Sequence, residues 1–303
     1  MVLGPTGAAK SDLSLILAEK LHGEIINCDS IQVYRELHIG SAKVPVEARR
    51  GIPHHLTGIL SIEEELTAGA YARMARAVLS LLRSKGKLPV VVGGTGFYLR
   101  ALLHGLSPAP MRNPDLRARL SGIAARRPHA LHRFLRHRDP IGASRIHPND
   151  HQKLIRAIEL TIAGGAPAST IQNRPRDSVK DFQVLKIGLA PDRKLLYERL
   201  NHRAAWMFEH GLIDETKAIL QVGYSPAAKP LRSLGYKQAL KVIANQLTRE
   251  EALRECQTRT RQYAKRQMTW FRAEHDVHWL AGFGDEPRIQ QQALNIAGAF
   301  VSS

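Results

Sequence analysis

The sequence has little cysteine, little acidic charge and no long apolar run. Its two cysteines, Cys28 and Cys256, exclude a disulfide framework and a cysteine-based metal cluster. Because no run of about 18 apolar residues occurs, we expect no transmembrane helix. The chain carries 27 acidic residues against 44 lysines and arginines, which gives a formal net charge of +17. This imbalance favours a polyanionic partner, either nucleic acid or an acidic membrane surface.

Apolar residues, in contrast, are plentiful. They make up 44% of the 303 residues, which is enough for a sizeable core and for one or two domains. The N-terminus runs directly into the first motif, so we expect no signal peptide. Together these features predict a cytoplasmic protein.

The first motif is a glycine-containing loop that follows three apolar residues. It reads Gly4-Pro5-Thr6-Gly7-Ala8-Ala9-Lys10-Ser11, and an amphipathic run over residues 12–22 comes after it. Strand, tight loop and helix in this order fit G-x-x-x-x-G-K-[ST], in which backbone N–H groups wrap a phosphate. In that pattern Lys10 would neutralise phosphate charge and the Ser11 hydroxyl would ligate Mg²⁺. The alternative is an ordinary strand-to-helix turn that contains a lysine.

One position departs from this pattern. Ala9 stands where the pattern has a glycine immediately before the lysine. We expect that position to disfavour a Cβ, and therefore expect Ala9 to strain or loosen the loop.

Further segments read as short buried strands separated by helices. Strands are predicted over residues 24–28, 88–92, 184–189 and 277–280, and a helix over residues 68–85. Strands that alternate with helices predict a parallel α/β sheet, in which ligands bind at the carboxyl ends of the strands. Polar residues follow three of these ends: Thr6 to Ser11, Asp29 to Gln32, and Thr95.

From about residue 112 to residue 164 the sequence becomes helical and basic, and its arginines face few acids. We therefore predict a helical insertion at residues 113–180, within a core formed by residues 1–112 and 181–303. The alternative is a solvated basic surface, but the charge density favours contact with nucleic acid.

The C-terminal third is predicted to be mostly helical, over residues 193–209, 212–222 and 249–272. On the last helix, basic residues recur at intervals that place them on one face: Arg254, Arg261, Lys265 and Arg272. Such a stripe suits a phosphate backbone, and it suits a solvated helix edge equally well.

Seven stretches together resemble the tRNA dimethylallyltransferases, also called tRNA isopentenyltransferases or the IPP transferase family. They occur in the family's order and cover nearly the whole chain: residues 4–11, 29–34, 93–99, 145–150, 152–159, 235–237 and 262–272. The phosphate loop alone is weakly specific, whereas the set is highly specific. The resemblance implies a P-loop kinase-like parallel sheet core with a helical insertion domain and a helical C-terminal region.

The resemblance also implies a reaction. A dimethylallyl group would pass from its diphosphate to the exocyclic amine of the adenosine immediately 3′ of a tRNA anticodon. The loop from Gly4 to Ser11 would hold the donor diphosphate with Mg²⁺ as cofactor, although the family's loop is often described as an ATP or nucleotide site. Arg203 matches a family arginine that reaches the diphosphate; the alternative for it is a surface salt bridge. The implied partners are a tRNA anticodon stem-loop and dimethylallyl diphosphate, and we expect a monomer that does not associate with membranes.

The acceptor chemistry requires a base. An aromatic amine is a poor nucleophile because its lone pair is delocalised, so a group must take its proton as the new bond forms. Asp29, at a strand end beside the loop, is the candidate general base; the alternatives are a helix cap or a Mg²⁺ ligand through water. By resemblance, Thr95 contacts and aligns the adenosine; its alternative role is that of a turn residue.

The adenine must also leave its stack to reach a buried base, so the protein must grip the surrounding stem and loop. By resemblance, the tRNA contacts come from Asp29, Ser30, Ile31, Gln32, Thr95, Arg117, Gln152, Lys153, Leu154, Ile155, Arg156, Arg232, Gly235, Tyr236, Lys237, Lys265, Arg266 and Arg272. Three aromatic residues are candidates for stacking on bases and equally for the core: Tyr236, Trp270 and Phe271.

Two other functions compete with this one. A P-loop kinase for a small molecule or nucleoside would share the loop, but its substrate would not need the basic insertion or the stripe; ATP turnover distinguishes it. A non-catalytic tRNA-binding protein with a decayed loop at Ala9 would bind an anticodon stem-loop without turning over dimethylallyl diphosphate.

Overall fold

A computed structural model of the chain describes residues 1–107, 109–173, 176, 178–179 and 182–302. The chain divides into two compact units, Met1–Leu103 with Lys180–Ser303, and His104–Val179. The smaller unit thus begins at His104, nine residues before the start predicted for the insertion at residue 113. Its predicted end, at residues 180 and 181, lies outside the described residues.

The larger unit contains a six-stranded sheet. Numbered along the chain, its strands are β1 (Val2–Leu3), β2 (Gly23–Asn27), β3 (His54–His55), β4 (Leu88–Val92), β5 (Lys186–Leu189) and β6 (Val277–Leu280). Their order across the sheet is β3-β2-β4-β1-β5-β6, and every neighbouring pair is parallel. The predicted parallel α/β architecture is therefore confirmed.

This strand order determines where the candidate site forms. β4 lies between β2 and β1, with Val90 opposite Ile25 and Val92 opposite Val2. The carboxyl ends of these three strands consequently lie side by side at one edge of the sheet. The loops that leave them carry the phosphate motif, Asp29 and Thr95.

Helices make up most of the remaining structure. Thirteen α-helices occur within the described ranges: α1 (Lys10–Lys20), α2 (Ala68–Ser84), α3 (Gly96–His104), α4 (Pro114–Arg126), α5 (Ala130–Arg138), α6 (Pro140–Ser144), α7 (His151–Gly164), α8 (Ala168–Gln172), α9 (Arg193–Glu209), α10 (Leu212–Gln221), α11 (Tyr236–Ile243), α12 (Arg249–Arg272) and α13 (Pro287–Val301). Two short 3₁₀ helices cover Val46–Arg49 and Lys229–Arg232. None of the helices in this part of the chain is long and apolar enough to cross a membrane.

The core of the larger unit joins the sheet to α1 and α13. Leu13 of α1, Val90 of β4 and Ile289 of α13 belong to the same cluster of buried side chains. α12 packs against α9 and α11. Its start is fixed by a capping box, in which Thr248 Oγ1 accepts from the Glu251 N–H at 3.2 Å and a Glu251 oxygen accepts from the Thr248 N–H at 2.8 Å. This long helix is therefore anchored along its length beside the site.

The smaller unit is helical, from α4 to α8, and has its own apolar core. Leu135, Leu154 and Ile158 are fully buried in that core. Two acids, Asp139 and Glu159, are buried as well. Asp139 accepts hydrogen bonds from Ser169 and from the Gly142 N–H, so its charge is compensated within the unit.

Candidate active site

The phosphate loop connects β1 to α1 in a left-handed conformation. Ala9 has φ 57° and ψ 39° immediately before α1 begins, a region in which a non-glycine residue is strained by about 1–2 kcal/mol. The expectation that this position disfavours a Cβ is thereby confirmed. Gly7 also has a positive φ, 82°, and a Cβ there would lie 2.7 Å from Leu200 Cδ2. A side chain at Gly7 would therefore adopt a strained backbone conformation and would displace the Leu200 side chain of α9.

Lys10, the first residue of α1, turns back over the loop. Its Nζ donates to the Pro5 carbonyl oxygen at 2.8 Å. Burial lowers the pKa of this ammonium group to about 8, although the nearby Asp29 acts to raise it and Arg203 acts to lower it. The ammonium is therefore charged at neutral pH and poorly solvated, which suits it to bind an anion.

Arg203 reaches the same loop from α9. Its Nη2 donates to Thr6 Oγ1 at 2.8 Å, and burial is the main reason why its pKa is lowered. It forms no salt bridge with any carboxylate of the described residues, so the alternative of a surface salt bridge is wrong. Two cations, Lys10 and Arg203, thus converge on the loop. Contact with a diphosphate remains a prediction for both.

Asp29 follows β2 in a tight turn. One carboxylate oxygen, Oδ1, accepts from the backbone N–H groups of Ile31 at 2.8 Å and Gln32 at 3.4 Å. On the other side, Asn27 Oδ1 accepts from the Asp29 N–H at 3.1 Å. These bonds fix the direction of the carboxylate, and Oδ2 has no hydrogen bond to any described residue. Asp29 therefore caps a turn with one oxygen and keeps the other available as a proton acceptor.

Thr95 joins the β2 and β4 strand ends. Its Oγ1 accepts from the Ser30 N–H at 3.0 Å, and its own N–H donates to the Cys28 carbonyl oxygen at 3.2 Å. The turn that carries Asp29 is thereby held beside Thr95. This contact supports the turn-forming role of Thr95, and its predicted contact with adenosine stays a prediction.

Ser11 is the one residue that the sequence predicts to ligate Mg²⁺. Its hydroxyl is half-buried on the first turn of α1 and makes no hydrogen bond within the described ranges. Among those residues, no group of three or more His, Cys, Asp or Glu side chains could hold a metal ion. A single hydroxyl agrees with the way Mg²⁺ binds at phosphate sites, where substrate phosphates and waters supply most ligands.

The residues predicted to contact tRNA differ greatly in exposure. Seven are exposed: Gln152, Lys153, Arg232, Lys237, Lys265, Arg266 and Arg272. Seven are half-buried: Asp29, Ser30, Ile31, Gln32, Thr95, Arg117 and Arg156. Their tRNA contacts remain predictions, and the exposed lysines and arginines have the side chains best placed to make them.

Four of the residues assigned to tRNA contact are buried: Leu154, Ile155, Gly235 and Tyr236. For the three that carry a side chain beyond hydrogen, contact of that side chain with tRNA is wrong. Leu154 and Ile155 belong to the core of the smaller unit. Tyr236 is fully buried and its hydroxyl donates to Glu215, while the Gly235 N–H donates to Gln238 Oε1 at 3.0 Å. Phe271, a candidate for base stacking, is only 1% exposed. Apolar positions within amphipathic helices pack inward, so these side chains stabilise the fold.

Arg117 and Arg156 share a partner in the smaller unit. Both donate to the carboxylate of the buried Glu159, at 3.2 and 2.6 Å, and hold its pKa below the usual range against the effect of burial. Arg156 also donates to the Pro110 carbonyl oxygen at 3.1 Å. Each arginine therefore compensates the buried charge of Glu159, and its contact with tRNA remains a prediction.

A groove of about 550 Å³ runs along α12 in the larger unit. Its lining consists of Arg100, Gln262, Lys265, Arg266, Thr269, Trp270 and Ala273. The Arg100 guanidinium lies 4.3 Å from the centre of the Trp270 ring, and Trp270 Nε1 has no hydrogen-bond partner among the described residues. The groove is basic and has an aromatic wall, features that suit nucleic acid.

Gln267, on α12, is a residue of the site that no sequence pattern predicted, and it contacts the phosphate loop. Its amide accepts a hydrogen bond from the Thr6 N–H in the phosphate loop and donates one to the Gly94 carbonyl oxygen in the loop after β4. Gln267 falls within the family-like stretch 262–272, but a glutamine in a polar helix gives no signal of burial. Only its 6% exposure in the folded chain identifies it.

The parallel sheet and the loop after β1 define a P-loop-type α/β protein. A sequence model of the family described as IPP transferase matches residues 32–274, a span that begins just after the phosphate loop and Asp29. The chain therefore belongs to the IPP transferase family, and it is an enzyme of the transferase class.

Individual relatives agree with this assignment. The chain is 51% identical to a tRNA dimethylallyltransferase of Solibacter usitatus, over 99% of this chain and 98% of the relative. It is 52% identical to one of Koribacter versatilis, over 98% of this chain and 96% of the relative.

Solved structures are similar as well. The fold matches a eukaryotic dimethylallyltransferase described as acting on tRNA, with a TM-score of 0.86 and 29% identity over 99% of this chain and 78% of the other. It also matches a tRNA isopentenylpyrophosphate transferase of Bacillus halodurans, with a TM-score of 0.72 and 34% identity over 98% of this chain and 94% of the other. The resemblance inferred from the sequence is thus confirmed.

Proposed function

We propose that this enzyme transfers a dimethylallyl group from dimethylallyl diphosphate to the exocyclic amine of the adenosine 3′ of the anticodon in tRNA. One observation supports this most strongly. The phosphate loop, Asp29 and Thr95 meet at the adjacent carboxyl ends of β1, β2 and β4. A donor diphosphate on the loop would therefore lie beside a carboxylate that is able to accept a proton.

The donor side relies on positive charge. Lys10, Arg203 and the loop N–H groups bind the diphosphate and stabilise the negative charge that accumulates on it as the carbon–oxygen bond breaks. Mg²⁺, when held by Ser11 and the phosphates, would neutralise part of the same charge. The poor solvation of Lys10 strengthens its interaction with the leaving group.

The acceptor side relies on Asp29. The adenosine nitrogen attacks the first carbon of the prenyl chain, the bond from that carbon to the diphosphate oxygen breaks, and the amine proton passes to Asp29 Oδ2. The turn bonds to Oδ1 hold the carboxylate in position during this step. Thr95, on the neighbouring loop, aligns the adenosine.

The tRNA is bound by positive charge outside this centre. The exposed residues Lys265, Arg266 and Arg272 of α12 would contact its phosphates, and so would the exposed Lys237 of α11. Because its substrate is a tRNA, we propose that the enzyme works in the cytoplasm; that it acts as a monomer stays a prediction.

The test is incubation with radiolabelled dimethylallyl diphosphate and unmodified tRNA, followed by digestion and nucleoside analysis. We expect one labelled product, a prenylated adenosine, which depends on both substrates. A parallel incubation with ATP tests the kinase alternative. Turnover of ATP without prenyl transfer would overturn the proposal, and tRNA binding without either reaction would indicate a non-catalytic tRNA-binding protein.

A further inference from the structure

A single buried side chain connects two loops of the site. Gln267 Oε1 accepts from the Thr6 N–H at 2.8 Å, and Gln267 Nε2 donates to the Gly94 carbonyl oxygen at 2.7 Å. Both bonds have good geometry, and the side chain is 6% exposed. One amide group thus satisfies a donor on one loop and an acceptor on the other.

The two loops carry different halves of the proposed chemistry. Thr6 lies in the phosphate loop and accepts from Arg203 through its hydroxyl. Gly94 directly precedes Thr95, which in turn holds the Asp29–Ser30 turn through the Ser30 N–H. Hydrogen bonds, joined through the backbone of Thr6 and of Gly94–Thr95, therefore connect the donor side to the acceptor side through Gln267.

The phosphate loop and the loop that carries Gly94 lie close together at Gln267. A Cβ placed on Gly94 would lie 2.3 Å from Gln267 Nε2 and 3.9 Å from Lys10 Nζ. The Gly94 loop, the glutamine amide and the phosphate-binding lysine thus occupy one small volume. No other described side chain hydrogen-bonds to both loops.

We propose that Gln267 is a positioning residue that sets the distance between the donor loop and the Thr95 loop. It does not touch the reacting atoms, since both polar ends of its amide are taken up by the protein. Arg266 and Lys265 lie one and two residues before Gln267 on α12, and both are exposed.

This inference rests on the proposed function, so its test includes a measurement that does not. Inorganic diphosphate binding, followed by calorimetry, reports on the phosphate loop whatever the reaction is. Steady-state kinetics with dimethylallyl diphosphate and tRNA, tRNA binding and thermal unfolding complete the set. If the unmodified protein transfers no prenyl group, the proposed function fails while the diphosphate measurement still tests Gln267.

Two variants break the connection from opposite sides. Gln267→Glu keeps an acceptor for the Thr6 N–H but places a carboxylate against the Gly94 carbonyl oxygen. Gly94→Ala leaves Gln267 in place and displaces its Nε2 by steric contact. The matched controls lie on α13: Gln292→Glu is exposed, and a Cβ at Gly298 meets nothing within 4 Å.

We expect both test variants to weaken diphosphate binding and to lower kcat/KM for the donor by about 10- to 100-fold, as expected when a buried hydrogen bond is left unmade. Affinity for tRNA should stay within about twofold, and the controls should behave like the unmodified protein. A purely structural role would lower the melting temperature without changing diphosphate affinity, KM or kcat of the folded enzyme, and would overturn the proposal. If Gln267→Glu fails to fold, the same comparison on Gly94→Ala decides.

Discussion

Replacement of Asp29 by asparagine tests the proposed mechanism most directly. Asparagine retains the Oδ1 acceptor that binds the Ile31 N–H at 2.8 Å, so the turn should persist. The second oxygen, Oδ2, becomes an NH₂ group that donates a hydrogen bond and cannot take the amine proton. The substitution therefore removes the base while it preserves the shape of the turn.

The expected loss follows from that change. Removal of a general base costs about a hundred- to ten-thousand-fold in rate, which corresponds to about 2.7–5.5 kcal/mol of transition-state stabilisation. Asp29→Ala, which also removes the turn bonds, should in addition destabilise the fold by about 1 kcal/mol. The difference between the two variants separates the chemical role of Asp29 from its role in the turn.

The assay is single-turnover prenyl transfer at saturating tRNA and donor, with tRNA affinity measured separately. Affinity for tRNA should change little, since most phosphate contacts are expected elsewhere. If Asp29 held Mg²⁺, the defect would appear mainly as weaker Mg²⁺ and donor binding and would be partly rescued by excess Mg²⁺. Near-normal turnover by Asp29→Asn would remove Asp29 as the base and refute the mechanism.

Four further substitutions test the loop and the tRNA surface. Ala9→Gly should tighten donor binding severalfold, because glycine adopts the left-handed conformation without strain; unchanged affinity in calorimetry would show that the loop is already relaxed. Diphosphate affinity should fall as the pH rises through about 8, where Lys10 loses its proton. The Lys10→Arg variant stays charged, so its diphosphate affinity should not depend on pH in this range. A pH dependence that persists in Lys10→Arg would implicate another group. Lys265→Glu or Arg266→Glu should weaken tRNA binding and reduce its salt dependence, while an equal loss of donor affinity would mark α12 as structural.

Strands with an uninterrupted apolar run and helices with a sustained period were predicted well from the sequence. The β-branched run of β4 and the helix α12 occupy the predicted residues 88–92 and 249–272. Buried parallel strands need uninterrupted apolar residues, and a long helix needs a cap and a sustained period, so both leave a clear pattern. The two-residue strand β3 leaves none, because His54 and His55 are polar and their pairing with β2 depends on the tertiary fold.

The active site was predictable only where a motif is local. The phosphate loop and the turn at Asp29 are each formed by a few consecutive residues, so spacing alone identifies them. Arg203 and Gln267 reach the loop from positions far along the chain, where no local pattern indicates that a side chain turns inward; Arg203 was assigned only through the family resemblance, and Gln267 was missed. The same limit explains Tyr236 and Leu154, which belong to family-like stretches but contribute their side chains to the core.

Two buried cations converge on the phosphate loop, and a bound anion would offset their desolvation. Burial lowers the pKa of both Lys10 and Arg203. A lysine whose pKa is lower in the folded state costs stability at neutral pH, and that cost falls only as the pH rises from about 8 towards the unfolded value. A diphosphate would reverse the effect by favouring the charged lysine. The free energy that the fold gives up by burying these two cations would thus contribute to binding the donor diphosphate.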